Sequence, residues 1–284
     1  MADLLETSAA NSTETARAFW ARTTDDVTIR GQFVSPAPGA PIVVVCHGFT
    51  GTHQNKAIRG LADGIAHHYG VATFDFRGHG NSTGQCTLGD AEALDIEAVA
   101  QTLRRLSPGS PLVGLGFSMG AGALIRAAAL HGGFDTIVAV SCPAKWRVPR
   151  SGAAILATFL TRTGAGRKLL RRFGVHVYPT WTNPASPVQV ADAISPVPVA
   201  LVYGTEDKYF SYRDGIELYE ALRAPKSLLT VDGGGHGEQL ADSDHAELWA
   251  TLIDDLLTTG EASHADQLIQ QQTHVLEPEG DFAD

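Results

Sequence analysis

PLVGLGFSMGAGALIRAAALH, residues 111–131, is the stretch that decides the fold of this chain. Its apolar first part, Pro111–Phe117, is typical of a buried strand, and its Ala-rich second part, Met119–His131, is typical of a helix. The junction reads Gly116-Phe117-Ser118-Met119-Gly120. A serine on such a sharp strand-to-helix turn leaves no room for side chains two positions to either side, which explains the glycines. The stretch therefore predicts that Ser118 is a nucleophile.

A dinucleotide-binding loop is the competing interpretation of the same glycines. The pattern G-x-G-x-x-G would begin at Gly114 and would need a glycine at position 119, where the chain has Met119. Nucleotide binding is therefore disfavoured.

Strand and helix patterns alternate on both sides of this stretch. Two strands are predicted within residues 17–35, and the others are Pro41–His47, Val71–Phe76, Pro111–Phe117, Thr136–Ser141, Val199–Gly204 and Ser227–Asp232. The predicted helices between and after them are Asn55–Tyr69, Leu88–Leu106, Met119–His131, Tyr212–Leu222 and His245–Leu257. This alternation predicts an α/β fold with a mostly parallel sheet, helices on both faces and an antiparallel hairpin at one edge. Ligands of such sheets bind at the carboxyl ends of the strands.

One catalytic domain, interrupted once, is the predicted organisation. Residues 17–144 and 196–260 form its core, and residues 145–195, which break the alternation, are predicted to be a cap or lid insertion. We expect flexible segments at both ends, an N-terminus over residues 1–16 and an acidic tail over residues 261–284.

A serine hydroxyl is a weak nucleophile until a base removes its proton, and the base is in turn oriented by an acid. His236 lies in a Gly-rich loop after the last predicted strand and is the candidate base. Asp207 follows the preceding strand and is the candidate acid, while the adjacent Glu206 remains an alternative. Ser118, Asp207 and His236 thus give a candidate triad in the order serine, acid, histidine.

Two backbone N–H groups are needed to stabilise the oxyanion of a tetrahedral intermediate. The sequence predicts that Met119, directly after the nucleophile, supplies one of them. Phe49, in the loop His47–Gly51 after a buried strand, is the candidate for the other. We expect His47 to brace this loop rather than to transfer protons.

Composition disfavours several other classes of protein. A net charge of −10 disfavours general nucleic-acid binding, and no stretch reaches the ~18 apolar residues of a membrane-spanning helix. Three cysteines without CxxC spacing argue against a disulfide scaffold and against a zinc site, so no metal is expected. The first residues lack the pattern of a secretory signal, which predicts a cytoplasmic protein.

The predicted cap carries the candidate substrate contacts. Eight Lys or Arg residues lie in residues 145–172 without any acid before Asp192, which suggests attraction of an anionic or carrier-bound substrate or of an anionic lipid surface. The alternative is a solvated face whose cations pair with acids of the core. Trp146, Phe159, Arg167 and Arg171 are the candidate substrate-binding residues. The aromatic ones could line an acyl or aryl pocket or form the core of the cap itself.

The motifs HGFTG, DFRGHGNS, GFSMG, GTED and GGGHGE occur in this order. In order and spacing they resemble α/β-hydrolases of the serine aminopeptidase and monoglyceride-lipase-like group, and HGFTG and DFRGHGNSTG look like the cinnamoyl (feruloyl) esterase branch. The resemblance covers roughly residues 17–258, apart from the cap. It implies an eight-stranded sheet, a triad of Ser118, Asp207 and His236, and no cofactor.

The resemblance also narrows the reaction. Dehalogenases and epoxide hydrolases of this fold attack with an aspartate, so Ser118 excludes both. The expected function is hydrolysis of a small-molecule carboxylic ester or thioester through an acyl-enzyme, on a substrate with a hydrophobic acyl or aryl group. Acyl transfer, or thioester cleavage on acyl groups bound to coenzyme A or a carrier, is the alternative. A ligand-binding receptor built on a hydrolase fold is the alternative of another class.

Overall fold

The computed structural model describes residues 5–7, 16–146, 152–223, 225–241 and 245–274. The strands are β1 (Leu5–Thr7), β2 (Arg17–Arg22), β3 (Thr28–Val34), β4 (Ile42–Cys46), β5 (Gly70–Asp75), β6 (Leu112–Phe117), β7 (Thr136–Val140), β8 (Val199–Gly204) and β9 (Lys226–Val231). The helices are α1 (Lys56–Ile65), α2 (Glu92–Leu106), α3 (Met119–His131), α4 (Gly152–Arg162), α5 (Gly164–Arg172), α6 (Pro187–Val190), α7 (Tyr212–Ala221), α8 (Ala246–Thr258) and α9 (Ser263–His274).

The strands form one mostly parallel sheet in the order β1-β2-β3-β5-β4-β6-β7-β8-β9. Six strands, from β5 to β9 in this order, pair in parallel, while β1, β2 and β3 form an antiparallel edge. All eight predicted strands are present, and β1 is an additional short one. The predicted α/β-hydrolase fold is therefore confirmed.

Hydrophobic side chains cover both faces of the sheet, as a parallel sheet requires. Along β4, Val43 and Val45 join the cluster that contains α1, α8 and α9, whereas Val44 and Cys46 join the cluster that contains α2, α3 and α7. Successive residues of a strand point to opposite faces, so a strand that is covered on both sides must be apolar at every position. This is why β4 is a continuous apolar run.

Helix α2 begins four residues later than the sequence predicts. Leu88 and Gly89 have φ values of 63° and 103°, which no α-helix can accommodate. The buried carboxylate of Glu92 instead accepts hydrogen bonds from the backbone N–H groups of Thr87 (2.7 Å) and Gly89 (2.8 Å). Glu92 therefore fixes the turn that precedes the helix.

The predicted cap segment lies between β7 and β8 and contains α4, α5, α6 and a short 3₁₀ helix, Ala191–Ile194. Residues 147–151 of this segment are outside the described part of the chain. A single residue, Thr163, separates α4 from α5. Its hydroxyl donates to the Phe159 carbonyl (2.8 Å) and accepts the N–H of Gly166 (2.9 Å), so it ends one helix and caps the next.

The prediction of a flexible tail over residues 261–284 is wrong for its first half. Helix α9 packs against α8 because Ala265 and Ile269 bury apolar surface there. The carboxylate of Asp255 accepts the backbone N–H groups of His264 (2.7 Å) and Ala265 (3.0 Å) at the start of α9. Residues 275–284 lie outside the described residues, as do residues 1–4 and 8–15 of the predicted flexible N-terminus, in which Leu5–Thr7 pairs with β2.

Two truncations test the packing of α9. A chain ending at His274 should keep the free energy of unfolding of the full chain, whereas a chain ending at Gly260 should lose about 2–5 kcal/mol because the apolar surface under α9 becomes exposed. Urea unfolding followed by circular dichroism measures both. Equal stability of the two truncated chains would contradict the packing role of α9.

Candidate active site

Ser118 lies at the turn between β6 and α3 with φ 53° and ψ −116°, a backbone conformation that costs an L-residue about 1–3 kcal/mol. The flanking glycines make this turn possible. A Cβ on Gly116 would lie 2.7 Å from the Ala121 Cα, and one on Gly120 would lie 2.5 Å from the His47 carbonyl oxygen. Close backbone contacts therefore require glycine at both positions, as the sequence motif predicts.

His236 connects the serine to a carboxylate. Its Nε2 atom lies 2.9 Å from the Ser118 Oγ atom, and its Nδ1 atom lies 2.8 and 2.9 Å from the two carboxylate oxygens of Asp207. This geometry assigns the Nδ1 proton to the bond with Asp207 and leaves Nε2 to accept the serine proton. The structure thus brings together the three side chains that the sequence singled out.

Asp207 is held as a carboxylate. Burial acts to raise the pKa of Asp207, but the hydrogen bond and the charge of His236 outweigh it, and the backbone N–H groups of Tyr209 (2.8 Å) and Phe210 (3.0 Å) add to the lowering. The pKa of Asp207 therefore lies below its usual value. Glu206, the alternative acid, is exposed at the edge of the site, and its backbone N–H donates to the Gly234 carbonyl.

Side-chain hydrogen bonds hold the loop after β4, which carries Phe49. The Nδ1 of His47 donates to the Gly48 carbonyl (2.7 Å), and the Nε2 of the same ring accepts the Phe76 N–H (3.1 Å). In a trans peptide the C=O and the following N–H point in opposite directions, so the Phe49 N–H points away from His47. His79 Nε2 holds the Phe49 carbonyl as well. Met119 opens α3, and a first-turn N–H has no acceptor inside its own helix.

The ring of His47 must be neutral to make both of its hydrogen bonds. Burial, together with the nearby His79, lowers the pKa of His47 to about 3. A protonated His47 would turn a second N–H toward the Phe76 N–H, so the neutral ring is the form that fits. These contacts agree with the expectation that His47 braces the loop.

Glu238 contacts the site in a way that its sequence position does not predict. It lies two residues after His236, and its carboxylate accepts the Gly48 N–H at 2.6 Å and the Asn55 side-chain amide at 3.3 Å. It thereby ties the histidine loop to the loop that carries Phe49. The signal was present as the short spacing His236-Gly237-Glu238, but a spacing along the chain does not show that the loop after β4 lies alongside it.

A cavity of about 790 Å³ opens above the triad, between the core and α4. Its walls are mostly apolar. Its lining includes the side chains of Leu88, Pro143, Lys145, Trp146, Leu156, Leu160, Arg162, Trp181 and Lys208. The rings of Trp146 and Trp181 meet edge to face with their centroids 6.0 Å apart.

The sequence model of the alpha/beta hydrolase family matches residues 43–251, which is well over half of the chain. The chain belongs to the alpha/beta hydrolase family. This region includes the serine, the acid and the histidine of the site, together with the loop after β4.

Solved structures show the same fold as this hydrolase at low sequence identity. The Pyrococcus furiosus esterase Pf2001 is 22% identical with a TM-score of 0.67, over 94% of this chain and 98% of that chain. The Rhodothermus marinus esterase domain is 16% identical with a TM-score of 0.59, over 92% and 99%. XC6422 from Xanthomonas campestris, described as a serine hydrolase without a lid, is 19% identical with a TM-score of 0.56, over 89% and 96%. None of the curated proteins matches the chain.

The four candidate substrate contacts of this hydrolase lie in different places. Trp146 is part of the cavity wall. Phe159 is exposed on the outer side of α4, Arg167 donates to the Thr161 carbonyl (3.2 Å), and Arg171 is exposed on α5, so these three lie outside the lining. Helix geometry explains the difference, because Leu156 and Leu160 are four residues apart on one face while Phe159 is on another.

Two kinds of feature are absent from the described part of the chain. No group of three His, Cys, Asp or Glu side chains in it is placed to hold a metal ion. None of its helices is long and apolar enough to cross a bilayer.

Asp207→Asn should slow the reaction of Ser118 with a fluorophosphonate by about 10³–10⁴-fold, because the amide cannot hold the productive tautomer of His236. Glu206→Gln is the matched control and should react like the parent. Intact-protein mass spectrometry at timed intervals measures the labelling rate. If Glu206→Gln slows labelling more than Asp207→Asn does, Glu206 and not Asp207 is the acid of the triad.

Glu238→Ala should slow the same labelling about 10-fold or more, because the loop that carries the Phe49 N–H loses its tie to the histidine loop. Glu238→Gln retains an oxygen that can accept the Gly48 N–H and should recover most of the rate. Glu247→Ala, an exposed acid on α8, is the control. If the alanine and glutamine variants are equally slow, charge rather than loop position explains the role of Glu238.

Proposed function

We propose that the protein is a serine hydrolase that cleaves carboxylic esters or thioesters through an acyl-enzyme on Ser118. The observation that supports this most directly is the continuous hydrogen-bonded line from Ser118 Oγ to His236 Nε2 (2.9 Å) and from His236 Nδ1 to Asp207 (2.8 Å). Membership in the alpha/beta hydrolase family agrees with it, and two of the similar structures are described as esterases.

The proposed reaction has two halves. His236 takes the proton of Ser118 while the serine oxygen attacks the carbonyl carbon, and the N–H groups of Met119 and Phe49 hold the resulting oxyanion. The tetrahedral intermediate collapses to the acyl-enzyme as His236 passes its proton to the departing alcohol or thiol. Water then repeats the sequence, and the acid is released with Ser118 restored.

The cavity walls favour a hydrophobic acyl or aryl group. Trp146, Trp181, Leu156 and Leu160 supply apolar surface beside the triad, and about 790 Å³ is the size expected of a small-molecule site. The lining has three cations, Lys145, Arg162 and Lys208. Lys145 pairs with Glu217, so Arg162 and Lys208 are the ones that could meet a carboxylate, coenzyme A or a carrier. The anionic or carrier-bound substrate, the likeness to feruloyl esterases and the cytoplasmic location stay predictions.

Ser118→Ala should reduce the turnover of p-nitrophenyl esters by about 10⁴-fold or more and should abolish fluorophosphonate labelling. The parent should release a burst of p-nitrophenol equal to the enzyme concentration if deacylation is the slower half. Ser35→Ala, an exposed serine far from the site in sequence, is the matched control and should behave like the parent.

Three results would count against the proposal. Turnover that persists in Ser118→Ala would contradict an acyl-enzyme on Ser118. A parent protein that binds the esters without turnover and without labelling would be a receptor. Esters that are consumed only when an alcohol or amine acceptor is added would indicate an acyltransferase.

A further inference from the structure

Helix α4 is apolar on two sides. Leu156 and Leu160 line the open cavity, where Leu156 is 57% exposed. Ile155 and Phe159, four residues apart, are exposed to 66% and 48%. A helix that is apolar all round is normally buried on all sides. The outer side of α4 therefore lacks a cover within the described part of the chain.

The next helix continues this exposed apolar surface. Leu169 on α5 is exposed, and Phe173, directly after the helix, is exposed to 74%. Leu170, by contrast, is buried against Val175 and Val177, so α5 has a separate inner side that holds the cap together. The exposed aromatic and aliphatic side chains are thus not the core of the cap.

Cations lie among these apolar side chains. Arg162, Lys168, Arg171 and Arg172 are exposed, and among the described residues no carboxylate is within ion-pair distance of them. Lys145, at the base of the cap, differs because it pairs with Glu217 at 2.6 Å. We define the cap surface as the apolar residues Ile155, Phe159, Leu169 and Phe173 with the cations Arg162, Lys168, Arg171 and Arg172.

We propose that the cap surface binds peripherally to an anionic lipid bilayer. Exposed apolar side chains that enter the headgroup region, accompanied by Lys and Arg that meet anionic headgroups, are the two components of interfacial binding. The charge complementarity is local, because the chain as a whole has a net charge of −10 while residues 145–191 contain eight cations and no acid. Binding through any other face would place an acidic protein against an acidic membrane.

A second copy of the chain fits this surface less well. A symmetric contact brings the same patch of both copies together, so the four cations of one cap would face the four cations of the other. The bilayer also explains why the apolar residues are large and exposed singly on two short helices, since each needs only to enter the headgroup layer and not to match a partner pocket.

Vesicle sedimentation tests the proposal with Ser118→Ala protein, so that catalysis plays no part. Vesicles of phosphatidylcholine are compared with vesicles in which about one lipid in three is phosphatidylglycerol. We expect binding to the anionic vesicles, weakened by salt, and little binding to the neutral ones. Ile155→Ser/Phe173→Ser and Arg171→Gln/Arg172→Gln should each weaken binding about 10-fold or more.

Matched double variants elsewhere on the surface are the controls. Leu130→Ser/Ile216→Ser removes two exposed apolar side chains, and Lys56→Gln/Arg59→Gln removes two exposed cations. Both should bind vesicles like the parent, and circular dichroism of all four variants verifies that they are folded. Fluorophosphonate labelling of the same substitutions with Ser118 restored shows whether the active site is intact.

The proposal is overturned if the protein ignores anionic vesicles, if it binds neutral vesicles equally well, or if the controls lose as much binding as the cap variants. A dimer in solution would also overturn it, if Ile155→Ser/Phe173→Ser dissociates that dimer and the protein does not bind vesicles. The cap surface would then bind a second copy of the chain. None of these results depends on ester turnover, so this proposal and the proposed function can fail separately.

Discussion

The first turn of α3 packs directly on the end of β4, and the rest of the site depends on this contact. Gly120 approaches the carbonyl oxygen of His47 so closely that a Cβ would lie only 2.5 Å from it, and the carbonyl of Cys46 is closer still. Neighbouring parallel strands β4 and β6 are in register at Cys46 and Gly116, so both end at the same height. The turn at Ser118 and the loop that carries Phe49 therefore begin side by side, as the proposed pairing of their N–H groups on one oxyanion requires.

Sheet register places the loops, but side chains fix the orientation of their peptides. Three successive peptides after β4 are each held by a different group: Glu238 takes the N–H of Gly48, His47 takes its carbonyl, and His79 takes the carbonyl of Phe49. Hydrogen bonds in a buried setting are costly to lose, because the freed group cannot return to water. The orientation of the Gly48–Phe49 peptide is thus fixed before any substrate binds, and under the proposed function this preorganises the Phe49 N–H for the oxyanion.

The sequence was sufficient wherever one strong local constraint decided the outcome. Short apolar runs between turn signals favoured strands covered on both faces, and the glycines around Ser118 favoured a turn too tight for side chains over a dinucleotide-binding loop. His236 and Asp207 followed from the rule that functional residues lie after strands. The start of α2 and the packing of α9 were not accessible in this way, because they depend on Glu92 and Asp255, polar side chains whose partners are backbone N–H groups in turns. The role of Glu238 depends on a loop about 190 residues away.

In the predicted cap, too, the sequence predicts composition but not the direction of each side chain. Its composition identifies an apolar and basic segment, but whether a given side chain reaches the cavity or the surface depends on the rotation of one short helix. Leu156 and Leu160 line the open cavity, whereas Ile155 and Phe159, each one residue earlier, are exposed outside it. A rotation of α4 by one residue, about 100°, would place Ile155 and Phe159 where Leu156 and Leu160 now line the cavity. The wall of the cavity and the outer surface of the cap are consequently two sides of one element, and the shape of the pocket is coupled to whatever α4 contacts outside.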